Sequence, residues 1–439
     1  MGKLRKALSA PGLLATIRGS FRRISDHRAS RSSIGLADAL MSGLAVFGLK
    51  YPSLLQFDQQ RRKPAEAHNL RTLYGVKQVP SDTQMREILD GIASRSLRPA
   101  FKAVFSDLQR GKGLESYQYL GGHYLLSVDG TGYFSSPTVH CDQCCVKNHR
   151  NGEVTYYHQL LGAAVVQPDH RGVIPLCPEP ITRQDGNTKN DCERNAAKRL
   201  LLDTRREHPH LKFIVVEDAL AANGPHVLLL NELDMRFILG VKPGDHQALF
   251  GQVEEKTRQE QVEEFSFTDQ DEEDVTHQFR FVNRLFLNGQ HPDLYVNFLE
   301  YWEVRPDKIR HFTWITDIPI SRNNAFALMK GGRARWKIEN ETFNTLKNQG
   351  YHFEHNYGHG HQHLATNFSL LMMLAFLVDQ IQALCCPLFQ QAHQSQHSKI
   401  SLWENMRSFF RSFYIEDWER FFTAIIKGPA LYELIPDTS

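Results

Sequence analysis

The 439-residue chain predicts a mixed α/β protein with helical segments at both ends and a β-rich insertion. Three observations carry this expectation. Between Tyr124 and Val241, short apolar runs of strand length alternate with longer runs of helical periodicity. Residues 245–316 break that rhythm with an acidic stretch followed by alternating, aromatic-rich segments. The segments before residue 119 and after Asn323 carry apolar residues at helical spacing.

The elements follow in order. Ile34 to Leu49 reads as a helix, and Ser81–Asp82 can cap another that runs through Met85, Ile88, Leu89 and Ile92. Leu97 to Leu108 continues in that style. After Gly111-Lys112-Gly113, Tyr124 to Asp129 is an apolar strand ending on a carboxylate, Tyr156 to Val166 a second strand and Val173 to Leu176 a third. Asn190 to Glu207 is helical, with Ala196, Ala197, Leu200 and Leu201 on one side. Leu211 to Val216 is a buried strand running into Glu217-Asp218. Pro225 to Leu233 is a helix and Arg236 to Val241 a strand. Three strands, helix, strand, helix, strand is the pattern of a mixed sheet. The insertion has strands at Phe279–Val282, Leu294–Glu303 and His311–Ile315. Helix returns through Arg333 to Lys347, and a buried helix starts near Leu364. The expected organisation is therefore a basic helical region 1–118, a core in two parts (119–244 and 317–383), the insertion 245–316 and a helical carboxyl-terminal segment 384–439.

The net charge of +2 hides a segregation. Residues 1–112 carry 20 Lys and Arg against 8 Asp and Glu, whereas residues 253–275 carry 10 acidic against 2 basic side chains. A basic helical region suits a polyanion such as DNA. The amino terminus (Lys3, Arg5, Lys6, then Ala7 to Ile17) is interrupted by Pro11 and Gly12 and closed by Arg18. It reads as part of a basic arm rather than a signal peptide. The longest apolar run, Phe368 to Val378, is too short to span a bilayer and no membrane partner is expected. Seven cysteines, with adjacent pairs at 144–145 and 385–386, point to a reducing compartment rather than a disulfide framework.

Asp129 and Asp218 sit at the carboxyl ends of the first and fourth strands, where α/β sheets gather ligands. Neighbouring strands would point both carboxylates into one crevice, and hard cations such as Mg²⁺ or Mn²⁺ prefer such oxygen ligands. Successive strand residues face opposite sides, so only one of Glu217 and Asp218 can join Asp129. Asp218, at the turn, is the preferred one. The third acid is Glu339, four residues after Arg335 on a helix made apolar by Trp336, Ile338, Phe343 and Leu346. Glu341 is the alternative if the register differs. Arg333, Arg335, Lys337 and Lys347 are candidate DNA-phosphate contacts around it.

These stretches resemble those of the bacterial insertion-sequence transposases that carry a DDE triad and a β-strand insertion. Asp129-Gly130-Thr131 resembles the first-acid motif and Asp218-Ala219 the second. Arg335-Trp336-Lys337-Ile338-Glu339 matches the arginine and glutamate of a tyrosine–arginine–glutamate–lysine signature. The resemblance covers about residues 120–375. It departs at Gly332, which holds the tyrosine position, and at Leu346, which holds the lysine position one residue before Lys347. The resemblance implies an RNase H-like mixed sheet flanked by helices. It implies Asp129, Asp218 and Glu339 as catalytic carboxylates around two Mg²⁺ or Mn²⁺ ions, phosphodiester hydrolysis at transposon ends, and 3′-hydroxyl strand transfer. Its partners would be double-stranded DNA (terminal inverted repeats and target) and a second copy of the chain in the DNA complex, on the nucleoid in a bacterial cytoplasm. An inactive or co-opted DNA-binding derivative, and an RNase H-like nuclease without strand transfer, are the alternatives.

A second constellation is His140, Cys141, Cys144 and His149. The cysteines have zinc-ligand spacing, either histidine could add a third donor, and His158 is a further candidate. A zinc ion there would be structural. The histidine-rich stretch His352, His355, His359, His361 and His363 reads first as phosphate contacts or an ordinary loop, and secondarily as metal ligands.

Overall fold

A computed structural model describes residues 6–26, 28, 32–183, 190–269 and 274–428. Lys3 and Arg5 of the expected basic arm lie outside the described residues, as do residues 429–439 of the expected carboxyl-terminal segment. The segment after Lys6 is no exposed arm. Helix α1 (Ala10–Phe21) buries Leu13, Leu14, Ile17 and Phe21. Pro11 does not interrupt it, because proline suits the first turn of a helix, where its missing N–H has no partner to lose. Helices α2 (Leu36–Gly48), α3 (Leu54–Gln60), α4 (Pro64–Tyr74), α5 (Asp82–Asp90) and α6 (Arg98–Arg110) come next. The expected cap of α5 is a full capping box, in which Ser81 and Gln84 each bond the other's backbone N–H. Much of the basic charge in this region is neutralised inside the protein. Arg18 pairs with Asp38, Arg61 and Arg62 with Asp58, and Arg98 with Asp203 and Glu207.

The strands are, in chain order, β1 (Gln118–Tyr119), β2 (His123–Ser136), β3 (Cys145–Asn148), β4 (Val154–Val166), β5 (Ile174–Pro175), β6 (Glu179–Ile181), β7 (Phe213–Glu217), β8 (Arg236–Gly240), β9 (Glu263–Thr268), β10 (Thr276–Asn288), β11 (His291–Val304) and β12 (Ile309–Thr316). Helix α7 (Glu193–Glu207) connects β6 to β7, α8 (Gly224–Glu232) connects β7 to β8, and α9 (Gln247–Arg258) opens the insertion. The main sheet order is β3-β4-β2-β7-β8-β12-β11-β10-β9, with β5 and β6 also on β4. Pairing of β2 with β7 and of β7 with β8 is parallel, and the remaining pairs are antiparallel. This is the expected mixed α/β sheet flanked by helices. Strand β7 is buried along its length and reads as a continuous apolar run, as a central parallel strand must.

The insertion differs from the expected run of strands at its start. It begins with a helix, α9, anchored by Leu249 and Val253 four residues apart. Its strands do not form a separate sheet. Strand β12 pairs antiparallel with β8, so the insertion prolongs the core sheet on one side. The far edge, β9, is short and begins Glu263-Glu264, which discourages further edge pairing.

Helix α10 (Ala325–Arg333), a π-turn (Ile338–Phe343) and α11 (Asn344–Asn348) replace the single helix expected over Arg333 to Lys347. Helix α12 (Leu364–Cys385) is long and apolar enough to cross a membrane by composition, yet most of it is buried inside the protein. Phe47 of α2 packs edge-on against Phe368 of α12. Helices α13 (Pro387–Gln394), α14 (Lys399–Ser412) and α15 (Trp418–Lys427) close the chain onto the amino-terminal helices. Asn69 of α4 donates to the Phe410 and Phe413 carbonyls, and Trp418 donates to the Leu73 carbonyl. The two ends of the sequence thus share one helical body around α12.

At its centre Lys50 is buried against Asp379 of α12 at 2.5 Å, over the Trp403 ring. Burial pushes the lysine down and the carboxyl up, and each restrains the other. Removing one member strands the other without water. Asp379→Ala is expected to lower unfolding stability by about 3–5 kcal/mol in urea titrations, and adding Lys50→Met should restore a substantial part of it. Equal loss in the single and double variants would show that the pair is not the source.

Candidate active site

Strand pairing places the acids. In the β2–β7 ladder Leu126 lies beside Val215 and Ser127 beside Val216. Two residues on, the same register brings Asp129 alongside Asp218, on one face, while Glu217 faces the other way with Val128. Ser127 donates to the Arg335 carbonyl at 2.8 Å, so the Asp129 face is the one covered by the segment that carries Glu339. Glu217 is tied on the opposite face to His226 of α8, at 2.5 Å. Burial pulls that imidazole down, but the Glu217 carboxylate outweighs it and the net shift is upward.

Asp129 accepts the Gly130 N–H and a hydrogen bond from Arg335, each at 2.9 Å. Burial raises its carboxyl. Arg335 and the Gly130 N–H pull it back, Asp218 and Glu339 push it up again, and the net shift is upward. Asp129, Asp218 and Glu339 therefore stand within electrostatic reach of one another. Asp218 is exposed and accepts the Leu220 N–H at 2.9 Å. Glu339 is half-buried on the π-turn, and no hydrogen bond or ion pair holds its carboxylate among the described residues. The chain reaches that turn through two tight i→i+3 bonds, Lys337 N–H to Ala334 and Ile338 N–H to Arg335. The wide turn beyond them is a local departure of the kind that collects at functional sites. It seats Phe343 and Ile338 over Gly162, the partner of Asp129 in the β2–β4 ladder.

A fourth carboxylate belongs to the cluster and was not among the acids expected from the sequence. Glu193, first residue of α7, approaches from the other face. A Cβ on Gly130 would lie 2.3 Å from its Oε1, so any other residue there would displace the Glu193 carboxylate from this position. Burial, then the charges of Asp129 and Asp218, raise the Glu193 carboxyl. In sequence, an acid in the first turn of a helix reads as a partner of the helix dipole, and nothing local marks it as more.

Other candidate residues are placed elsewhere. Arg333 pairs with Glu303 of β11 at 2.5 Å and lies over the Phe312 ring. Lys337 donates to the His170 carbonyl at 2.6 Å, and Lys347 pairs with Glu354 at 2.9 Å. Of the four basic candidates, Arg335 is the one that bonds a carboxylate of the cluster. The π-turn breaks the helical phase that would have set Arg335 and Glu339 on one face and Lys347 nearby. Trp336 does not help bury the segment; it is 48 % exposed, with the Arg335 guanidinium over its ring. Gly332, in the tyrosine position, faces the Trp314 indole, where a Cβ would come within 2.5 Å of Nε1.

Of the zinc-type candidates, the structure brings together Cys141, Cys144 and His158, and sets His140 and His149 apart. Cys141, Cys144, His158 and His359 gather with ligand atoms within 4.8 Å of one another, a cluster that could hold a metal ion. His140 instead stacks on Tyr156 and meets the Thr138 carbonyl, and His149 meets the Thr155 hydroxyl at 2.8 Å. The reason is the β3–β4 hairpin. It carries His149 away to its turn, while the register that sets Cys145 beside Tyr157 brings Cys144 next to His158.

The Glu193 carboxyl gives a test with a definite sign. Its folded value is raised, so the penalty to the fold builds as pH climbs from the ordinary glutamate range up to that value and persists above it, and it is absent below the ordinary range, where the group is protonated in both states. Glu193→Gln is expected to raise the metal-free melting temperature by about 1–3 °C near neutral pH. The gain should shrink toward about pH 4, and Mn²⁺ should stabilise the wild type more than the variant. A variant no more stable than wild type without metal, with an equal Mn²⁺ response, removes Glu193 from the cluster.

No protein-family model and no curated protein matches the chain. Among solved structures, a piggyBac transposase synaptic complex with hairpin DNA is similar over 97 % of this chain and 82 % of that one, with 10 % identity and a TM-score of 0.40.

Proposed function

We propose that the chain is a DDE-type DNA transposase that hydrolyses phosphodiester bonds at the ends of its element and joins the freed 3′ hydroxyl to target DNA. The convergence of Asp129, Asp218 and Glu339 at one end of a mixed sheet carries this reading, and Glu193 adds a fourth oxygen donor. The donor set fits the proposed cofactor. It is all carboxylate, the choice of Mg²⁺ or Mn²⁺ rather than of zinc or copper, and it holds more negative charge than Arg335 neutralises. A pair of such ions would supply the positive charge that activates water and stabilises the leaving oxygen.

The chain's own residues then have distinct tasks. Asp129 and Asp218 are fixed by the strand register and would hold the cations. Glu339 enters on the π-turn from one face and Glu193 from the other, completing the cage. Arg335, stacked on the exposed Trp336, would hold Asp129 ionised and offers its remaining N–H groups to a phosphate. No covalent protein intermediate is needed for an in-line displacement.

In the presence of Mg²⁺, the purified protein is expected to nick labelled DNA carrying the sequences that flank its gene and to join the 3′ end to a plasmid. Asp129→Asn, Asp218→Asn and Glu339→Gln should each reduce nicking by about 10³-fold or more. Metal-independent nicking, or none with wild type bound specifically to the ends, contradicts the catalytic reading. Nicking without joining would identify a nuclease instead.

Arg335 gives a second measurement. It lowers the Asp129 carboxyl, so its loss lets burial and the neighbouring acids raise that carboxyl further. The acid limb of the Mg²⁺-dependent rate should move to higher pH in Arg335→Gln and stay nearer wild type in Arg335→Lys. An unmoved limb in both variants means that Arg335 does not act through Asp129.

A further inference from the structure

We infer that Cys141, Cys144, His158 and His359 form a structural zinc site that clips the β2–β4 hairpin to the loop following the Glu339 segment. The geometry is that of a tetrahedral S₂N₂ cage. The two Sγ atoms are 3.9 Å apart. The His158 Nε2 lies 3.3 Å from each sulfur, and the His359 Nε2 lies 3.2 Å from the Cys144 Sγ. Zinc bonds of about 2.3 Å to sulfur and 2.0–2.1 Å to nitrogen require ligand–ligand edges of about 3.3–3.8 Å in a tetrahedron. The cluster is thus of the right size for one ion, and its donor types select zinc over magnesium.

Burial makes the same point. Cys144 and His158 are each 1 % exposed and His359 7 %. Both imidazoles turn Nε2 toward the sulfurs, and their Nδ1 atoms find no hydrogen-bond partner among the described residues. These four side chains turn inward on one another beside the Tyr133 and Phe134 rings, and as thiolate ligands the two cysteines would be matched by the positive charge of a bound ion. The Cys141–Cys144 turn is already shaped for it, since the Cys144 N–H bonds the Cys141 carbonyl and the Cys141 N–H points at the Cys144 sulfur.

The site joins parts of the chain far apart in sequence. Cys141 and Cys144 lie between β2 and β3, His158 lies on β4, and His359 lies in the loop between α11 and α12. That loop is also fastened to α5, where Asp90 accepts the N–H groups of His361, Gln362, His363 and Leu364. The Asp142 N–H bonds the His361 carbonyl beside them. Zinc would therefore lock the junction of hairpin, helical body and the segment returning from Glu339. The assignment does not depend on the transposase reading.

Full-length protein expressed with zinc and dialysed against a weak chelator is expected to carry one zinc per chain by mass spectrometry of the metal. Cys144→Ser and His359→Gln should fall to background, whereas His140→Gln and His149→Gln should keep the metal. Because the ligand variants can misfold, stripped wild type is titrated with Co²⁺, which should give the intense visible bands of a tetrahedral thiolate–imidazole complex. Stripping should also increase hydrogen exchange in residues 140–145 and 355–361 while leaving β7 and β8 unchanged. Wild type without zinc and without those cobalt bands overturns the proposal. So does a Cys141–Cys144 disulfide in the native protein, or zinc lost on replacing His140 or His149.

Discussion

The parallel pairing of β2 with β7 is the constraint on which the site depends. The side-chain period of a strand is two, so a slip of one residue would turn Asp129 away and present Val128 instead. The observed register sets Asp129 and Asp218 on the face that receives the π-turn, and puts Glu217 on the face that receives α8. It also fixes where Gly130 and Gly162 lie, and these two open positions admit Glu193 from one side and the π-turn from the other.

The treatment of negative charge differs sharply within the molecule. Glu303 is surrounded by Arg305, Arg310 and Arg333. Burial alone would raise its carboxyl, and these arginines reverse that and hold it low. Glu217 has His226. Among the described residues Asp129, Asp218, Glu339 and Glu193 share one arginine ion pair, and the carboxyls of Asp129 and Glu193 are raised rather than lowered. Glu303 and Glu217 are thus each matched by cationic or titratable groups of the chain itself. The carboxylate cluster is instead left short of positive charge, which is the feature that supports the proposed cation site.

The rest of the fold holds these acids in place. The insertion extends the core sheet from β8 and returns to it through β12, so Arg333 at the end of α10 can be fastened to β11 just ahead of the π-turn. The helical body is built from both ends of the chain around α12, and Lys50 with Asp379 lies at its centre. Asp90 then caps the start of α12 and ties this body to the loop that carries His359.

Local sequence determined what depends on near neighbours. Strand and helix identity came from period and capping, as in the buried run of β7 and the Ser81 capping box. The position of Asp218 just after β7 was legible, because a strand that runs into a turn shows its last residue; Asp129 was expected at a strand end too, but β2 continues past it to Ser136, held by its pairing with β4. Tertiary structure decided everything that depends on register and on approach between distant segments. The inclusion of Glu193, and the gathering of His158 and His359 rather than His140 and His149 around the two cysteines, turn on which strands pair and which loops meet. The break of the Glu339 helix into a π-turn belongs here too, because its seat over Gly162 is supplied by a strand far earlier in the chain. No local periodicity encodes such contacts, since they are made only when the sheet has formed.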